Sequence, residues 1–226
     1  MRKLSDRLYT VSTLVPKGAR VADIGTDHGH LPIYLIKNEI SPYCIASDIK
    51  EKPLNNARAN IEKTGTKNID TRLGAGLDTV NPDEVDCVVI AGMGGEVIAE
   101  ILDNAKWTRN EKYTLIFQPM TSADALRKYL CEKGFYIESE TAVEENRKIY
   151  TVIKSRFSSE VFSADEVFLR IGKLDPACPT ARKYIEKQAR IVKELLADRK
   201  AAGLSTDNYQ AVYEKMQSIL GDRDKG

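Results

Sequence analysis

The chain has 226 residues, of which 42% are hydrophobic and 30% charged, values typical of globular proteins rather than disordered or fibrous ones. Its 34 basic residues nearly balance its 33 acidic residues, so any nucleic-acid surface must come from local clustering of charge. No segment resembles a membrane span or a secretory signal, and we expect a cytoplasmic protein that does not contact membranes.

The four cysteines lie far apart, without the CxxC pairs or neighbouring histidines that are typical of a metal site. We therefore expect reduced thiols and no bound metal. The cysteines are Cys44, Cys87, Cys131 and Cys178.

Apolar strands and helical segments alternate through the first 157 residues, after a short amphipathic helix over residues 4–14. This alternation predicts an α/β fold with a mostly parallel, Rossmann-like sheet. A hairpin over residues 135–157, turning near Glu145 and Asn146, is expected to add an antiparallel edge. The predicted strands before it are ARVADI (19–24), PYCIASD (42–48), NIDTRLG (68–74), DCVVIAG (86–92) and YTLIFQP (113–119).

The character of the sequence changes after Phe157, where a polar connector with one short helix leads into two longer helical segments. The first of these has Pro179 near its start and Gly203 at its end. We predict two domains, 1–157 and 158–226, the second a helical hairpin with coiled-coil-like spacing. Its apolar seam is Ile185, Ala189, Val192 and Leu196.

The turn after the first strand, VADIGTDHGHLP at residues 21–32, departs from the common nucleotide-binding loops. Counted from Gly25, the positions that a dinucleotide fingerprint fills with glycine hold Asp27 and His30. A carboxylate at the middle position would repel a pyrophosphate, and no GK[ST] follows for a Walker loop.

A cationic cofactor fits this turn better, because acidic residues attract the sulfonium and ammonium groups of S-adenosylmethionine. Asp23, Gly25 and Gly29 match the D-x-G-x-x-x-G spacing of class I methyltransferases. Asp48 ends the second strand, where it can accept the ribose hydroxyls. The other predicted cofactor contacts are Thr26, His28, Ile49, Gly74, Ala75, Gly76, Ala91, Gly92 and Met93.

Five motifs together resemble the bacterial tRNA (adenine-22, N1)-methyltransferases: L-S-x-R-L at 4–8, VADIGTDHGHLPIYL at 21–35, ASD at 46–48, AGMGG at 91–95 and QPM at 118–120. The resemblance implies S-adenosylmethionine as cofactor, tRNA as substrate, a class I methyltransferase domain and a coiled-coil-like C-terminal domain. The sequence implies no obligate protein partner, and we expect a monomer, the alternative being a dimer formed through the coiled-coil seam. Where LGDGL is common in the family, this chain has Ala75.

The residues also narrow the chemistry. The [DNS]PP[YF] loop of exocyclic-amine methyltransferases is replaced by AGMGG, and Cys87 lies inside a strand, a poor position for a nucleophile. Adenine N1 needs no covalent intermediate, only alignment and stabilisation of a positively charged product ring. Asp27 is predicted to provide that stabilisation, the alternative being an N-cap of the next helix.

Candidate substrate contacts come from both parts of the chain. Arg7 could reach the cofactor carboxylate or an RNA phosphate, and Gly94, Gly95, Gln118 and Pro119 could border the target base.

A local excess of basic residues between 181 and 200, including Lys187, Arg190 and Lys193, could follow a phosphate backbone. A solvated helix face is the alternative reading of that segment.

Two other functions stay open on sequence alone. One is a methyltransferase for a small molecule or a protein. The other is a non-catalytic RNA-binding module on a vestigial cofactor fold, although the intact Asp23, Gly25 and Asp48 count against it.

Overall fold

A computed structural model describes residues 4–221, which form one seven-stranded sheet, helices on both of its faces, and a C-terminal helical part. None of the helices in this range is both long and apolar enough to cross a bilayer. The strands are β1 Val21–Ile24, β2 Cys44–Asp48, β3 Ile69–Leu73, β4 Cys87–Gly94, β5 Thr114–Thr121, β6 Phe135–Glu145 and β7 Lys148–Phe157. The helices are α1 Asp6–Leu14, α2 His30–Lys37, α3 Glu51–Thr64, α4 Gly95–Asn104, α5 Ala123–Glu132, α6 Glu166–Ile171, α7 Pro179–Ala201 and α8 Asp207–Gly221.

The sheet has the strand order β3-β2-β1-β4-β5-β7-β6, in which β1 to β5 run parallel. The predicted hairpin is confirmed, and its turn places Asn146 and Arg147 at φ 51° and 62°. Positive φ at both central residues is typical of a tight type I′ turn. Strand β7 inserts between β5 and β6 and runs antiparallel to both, so the antiparallel strand is second from the edge.

Alternate residues of the central strands supply two cores, one on each face of the sheet. Val88 and Ile90 of β4 face a core closed by α4 and α5. Val89, between them in sequence, faces the opposite core, which α1 and α2 cover with Val11 and Leu35. Strands buried on both faces explain why the central segments are almost continuously apolar.

The C-terminal helices form the predicted hairpin. Arg182 near the start of α7 donates to the Leu220 carbonyl at the end of α8, 2.7 Å away, so the two helices run antiparallel. Ile185, Ala189 and Val192 of the predicted seam are buried against α8, whereas Leu196 is half-buried. The same cluster includes Ala142 of β6, and this contact seats the hairpin on the edge of the sheet.

The predicted domain boundary at residue 157 coincides with the end of β7, but the division into two domains stays a prediction. Residues 1–3 and 222–226 of the two predicted domains lie outside the described range.

A buried ion pair ties the helical part to the sheet. Arg127 of α5 donates Nη2 to Glu140 Oε2 of β6 at 2.8 Å, and both side chains are fully buried. Arg127 Nη1 also donates to the Leu169 carbonyl in α6 at 2.8 Å. The Lys173 backbone N–H donates to Glu140 Oε1 at 3.2 Å. One guanidinium and one carboxylate therefore link four segments.

Gly172 completes this joint. Its φ is +61°, and a Cβ there would overlap the Glu140 carboxylate. Only glycine combines this backbone conformation with so close an approach to the carboxylate.

We expect Arg127→Met to lower the free energy of unfolding by about 3–5 kcal/mol, because it leaves the Glu140 charge buried without a partner. The double variant Arg127→Met/Glu140→Leu should recover most of that loss. Urea denaturation of the cofactor-free protein measures both values. Lys128→Met, on the same helix but in an exposed pair with Glu132, is the matched control and should change stability by no more than about 0.5 kcal/mol. A single variant as stable as this control would contradict the assignment.

Candidate active site

A trough crosses the carboxyl ends of the parallel strands, where open α/β sheets bind their ligands. It consists of two cavities of about 280 and 510 Å³. Both are lined by Gly25, Asp27, Ala91 and Gly92, so they meet at the ends of β1 and β4. We call them the inner cavity, which Arg7 lines, and the outer cavity, which Asp48 lines.

The predicted cofactor residues all line this trough. The set is Asp23, Gly25, Thr26, His28 and Gly29 along the inner cavity, and Asp48, Ile49, Gly74, Ala75, Gly76, Ala91, Gly92 and Met93 along the outer one. The sequence thus predicted the lining, and the fold brings together segments that are up to 70 residues apart.

The glycines of the first turn have identifiable tasks. Gly25 has φ +80° and its N–H donates to the Ser47 carbonyl at 2.8 Å, which fixes the turn against β2. Gly29 has φ +65° and is the N-cap of α2, without a side-chain cap. Asn60 of α3 donates to the His28 carbonyl at 3.0 Å and holds the turn from outside. The first residues of α2 line the inner cavity, so the electropositive N-terminus of this helix faces it.

Asp23 is 6% exposed at the base of the inner cavity. Burial raises its pKa to about 6, with a further increase from the Asp48 charge and an opposing effect of the Thr26 hydroxyl. Because burial deprives the Asp23 carboxylate of hydration, this position favours a cationic ligand, whose charge would offset that loss.

The outer cavity is lined by two acidic residues that lie outside the predicted set, Asp78 and Glu100. Asp48 lines it as predicted, its Oδ1 held by the Lys50 N–H at 2.8 Å. Asp78 also lines this cavity, three residues after Ala75, and its backbone N–H donates to the Ala75 carbonyl. The outer cavity therefore has an acidic residue close in sequence to Ala75. Only the loop conformation reveals it, because Asp78 lies outside the glycine motif.

Asp27 stands where the two cavities meet. Its side chain is 69% exposed, and Oδ2 lies 3.3 Å from His28 Nε2. Gly29, not Asp27, is the N-cap of α2, so the capping alternative is not realised. The His28 ring stacks on His30 at 5.3 Å between centroids, which orients the imidazole beside Asp27.

Arg7 lies over the inner cavity in a network that includes a residue missed from the sequence. Its Nε and backbone N–H donate to Glu145 at 2.8 and 3.1 Å, and Nη1 donates to Gln118 Oε1 at 2.5 Å. Burial alone would raise the pKa of Glu145, but the bonds from Arg7 lower it. The buried Gln118 uses its amide to donate to the Pro119 carbonyl at 2.9 Å, so both ends of this side chain are engaged within the protein.

The remaining predicted substrate contacts separate in space. Gly95 is buried, and a Cβ there would overlap the Ser122 carbonyl, so it allows α4 to approach the start of α5 rather than facing a ligand. Gly94 lies beside Thr121. Lys187 and Pro119 line a separate groove next to the trough, whereas Arg190 and Lys193 line a cavity between α7 and α8. Lys187 therefore lines a different cavity from Arg190 and Lys193.

The cysteines offer no nucleophile at the trough. Cys87 is fully buried within β4, and burial raises its pKa. Burial likewise raises the pKa of Cys44 to about 12. Thiols with raised pKa values are unreactive near neutral pH, so covalent catalysis through Cys87 does not fit.

Comparisons with known proteins agree with this geometry. A family model described as a methyltransferase domain matches residues 4–153. The tRNA (adenine(22)-N(1))-methyltransferase of Bacillus subtilis is 37% identical over 173 residues, which are 76% of this chain and 73% of that protein. The crystal structure of the B. subtilis m1A22 tRNA methyltransferase superposes with a TM-score of 0.82 at 28% identity, over 96% of this chain and 99% of the other. A Streptococcus pneumoniae protein in complex with S-adenosyl-L-methionine has a TM-score of 0.82 at 29% identity, over 96% and 100% of the chains.

Asp23 generates a prediction about stability. Its folded pKa of about 6 exceeds its ordinary value of 3.8, so the folded state binds more protons between these pH values. The resulting destabilisation is absent below pH 4 and complete above pH 6, where it reaches about 3 kcal/mol. We expect cofactor-free Asp23→Asn to gain stability over the wild type as the pH rises from 4 to 7, measured by urea denaturation. The exposed Asp83→Asn should follow the wild type, and a pH-independent difference for Asp23→Asn would contradict the prediction.

Proposed function

The chain belongs to the tRNA (adenine(22)-N(1))-methyltransferase family, and we infer from this membership that it transfers the methyl group of S-adenosylmethionine to N1 of adenosine 22 in tRNA. The trough at the carboxyl ends of the strands carries this inference. Asp23 lines its inner cavity, Asp48 and Asp78 line its outer cavity, and the positive-φ turn at Gly25 borders both. Family membership removes the two alternatives left open by the sequence.

The trough fits the cofactor by its donor set and its shape. Asp23 and the start of α2 suit the ammonium and carboxylate of the methionine part, while Asp48 suits the ribose hydroxyls. Gly92 has φ +82° and open space where a Cβ would stand, so the floor is clear where the two cavities meet. Asp78, in place of the carboxylate absent at Ala75, is proposed to accept from the adenine amino group.

S-adenosylmethionine supplies an electrophilic methyl group on a sulfonium. The protein must then align adenine N1 with it, exclude competing water and tolerate a ring that becomes positively charged. Asp27 is the exposed carboxylate at the junction of the two cavities, and we assign it the stabilisation of that charge. His28 orients Asp27, and Met93 provides an adaptable wall beside Gly25.

Gln118 and Glu145 are assigned the role of positioning Arg7. Glu145 is at the end of β6 and Arg7 is on α1, so their bonds fix the N-terminal helix above the inner cavity. Gln118 is engaged at both ends of its side chain and supports Arg7 rather than reading the base. Arg7 remains the proposed contact for the substrate.

Contact with the tRNA body is assigned to the helical part. Arg182, Arg190 and Lys193 line one cavity between α7 and α8 together with Tyr213, which combines positive charge with an aromatic ring. We propose that this surface follows the phosphate backbone, that the hairpin is a short coiled coil, and that the protein acts in the cytoplasm as a monomer.

The function is tested by methyl transfer from labelled S-adenosylmethionine to unmodified tRNA transcripts carrying adenine or guanine at position 22. We expect label only in the adenine transcript, recovered as 1-methyladenosine after digestion. Label in both transcripts would contradict the position. Label in neither, from protein that binds the cofactor, would contradict the substrate.

Asp27→Asn should reduce the rate of methyl transfer about 100-fold at saturating substrates, because the amide keeps the shape of the carboxylate but not the charge that stabilises the product ring. Cofactor affinity, measured by calorimetry, should change little. Asp83→Asn, with the same chemical change at an exposed position, is the control. A normal single-turnover rate in Asp27→Asn would remove Asp27 from the mechanism.

A further inference from the structure

A third cavity, of about 310 Å³, lies between the sheet and α7 and is separate from the cofactor trough. Its residues come from the end of β5, the start of α5, the first half of β7, and helices α6 and α7. Met120 lines both this groove and the inner cavity, so the two sites adjoin at one side chain. We call it the interdomain groove.

The groove opens where β5 and β7 stop pairing. The ladder between them pairs Leu115 with Ser155 and continues to Phe117 with Ile153. Beyond Phe117, β5 continues along β4 only, and Pro119, which has no N–H to donate, lies in this stretch. The gap between Pro119 and Tyr150 is what α7 covers from the side.

The floor of the groove contains an unsatisfied hydroxyl. Thr151 is 1% exposed, and its Oγ1 has no hydrogen-bond partner among the described residues. Buried hydroxyls are nearly always paired, and an exception indicates a missing partner. Since Thr151 lines the groove, a ligand hydroxyl there would supply that partner.

The walls of the groove carry charges of both signs. Lys187 of α7 is exposed and lines it. Arg170 of α6 lines it with Nη2 held by Glu166 at 2.8 Å, and its buried Nε has no partner among the described residues. Asp124, in the first turn of α5, also lines the groove. A simple anion would be repelled by Asp124, so the mixture favours a ligand with both an anionic group and hydroxyl donors.

A ribose–phosphate unit of RNA has this combination, since the phosphate suits lysine and arginine and the 2′-hydroxyl both donates and accepts. We propose that the interdomain groove binds the ribose–phosphate of a nucleotide adjacent to the target adenosine, with Lys187 and Arg170 on the phosphate and with Thr151 and Asp124 on the ribose. This proposal rests on the proposed function. It gives Lys187 a task different from that of Arg190 and Lys193, and it makes the helical part contribute to the entry of the target nucleotide.

The proposal is tested with Lys187→Gln and Thr151→Val in the full-length protein, using tRNA with a single 2′-deoxy substitution at the nucleotide before or after position 22. Lys63→Gln on α3 and Thr141→Val on β6, both at exposed positions outside the groove, are the matched controls. Cofactor affinity and circular dichroism check folding. Thr151→Ser, which keeps the hydroxyl, should retain wild-type behaviour.

We expect Lys187→Gln to raise KM for tRNA about tenfold and to reduce the salt slope of binding by about one, with kcat little changed. One of the two 2′-deoxy substitutions should raise KM about fivefold in the wild type and in Thr151→Ser, and should have no further effect in Thr151→Val.

Two results would overturn the groove while leaving the methyltransferase intact. One is a 2′-deoxy effect of equal size in the wild type and in Thr151→Val, or no such effect at either nucleotide. The other is a Lys187→Gln protein that behaves like Lys63→Gln. Absence of methyl transfer from the wild type to any tRNA would instead refute the proposed function, so the two failures are distinguishable.

Discussion

The buried pair between Arg127 and Glu140 is the interaction on which the arrangement of the two parts of the chain depends. A guanidinium and a carboxylate withdrawn fully from water are stable only when their hydrogen bonds are satisfied, and here the partners come from α5, β6, α6 and the backbone after Gly172. Because these bonds are directional, they fix where α6 ends and so where α7 begins. An apolar contact of similar area would hold α7 against the sheet with less definition of its position.

The position of α7 creates the interdomain groove beside strands β5 and β7. Beyond Phe117, β5 and β7 no longer pair, and α7 closes the space between them. Met120 lies between the two sites. One side of it lines the inner cavity of the trough, and the other side lines the interdomain groove. The groove that the helical part helps to form therefore adjoins the trough at Met120.

The carboxylates of the trough differ in exposure, since Asp23 is buried whereas the side chain of Asp27 is 69% exposed. Asp23 has a raised pKa because it is buried, and the nearby charge of Asp48 raises it further. Such groups weaken the cofactor-free fold and gain their compensation from a cationic ligand. The Arg7–Glu145 pair behaves in the opposite way, since its charges are mutually satisfied and the pKa of Glu145 is lowered. Asp23 therefore lacks a compensating charge in the cofactor-free protein, whereas Arg7 and Glu145 compensate each other and stabilise the wall of the inner cavity.

The sequence by itself determined the order of strands and helices and the hairpin turn at Asn146, and it predicted the segments that line the trough, because apolar periodicity and glycine spacing are local properties of the chain. It also determined the family, through motifs at the strand ends. Only the tertiary structure decided the partners of single side chains. Glu145 lies 138 residues from Arg7, Asp78 enters the outer cavity through a loop conformation, and Lys187 lines a different cavity from Arg190 and Lys193. These contacts depend on how distant segments pack, and no local pattern in the sequence records that packing.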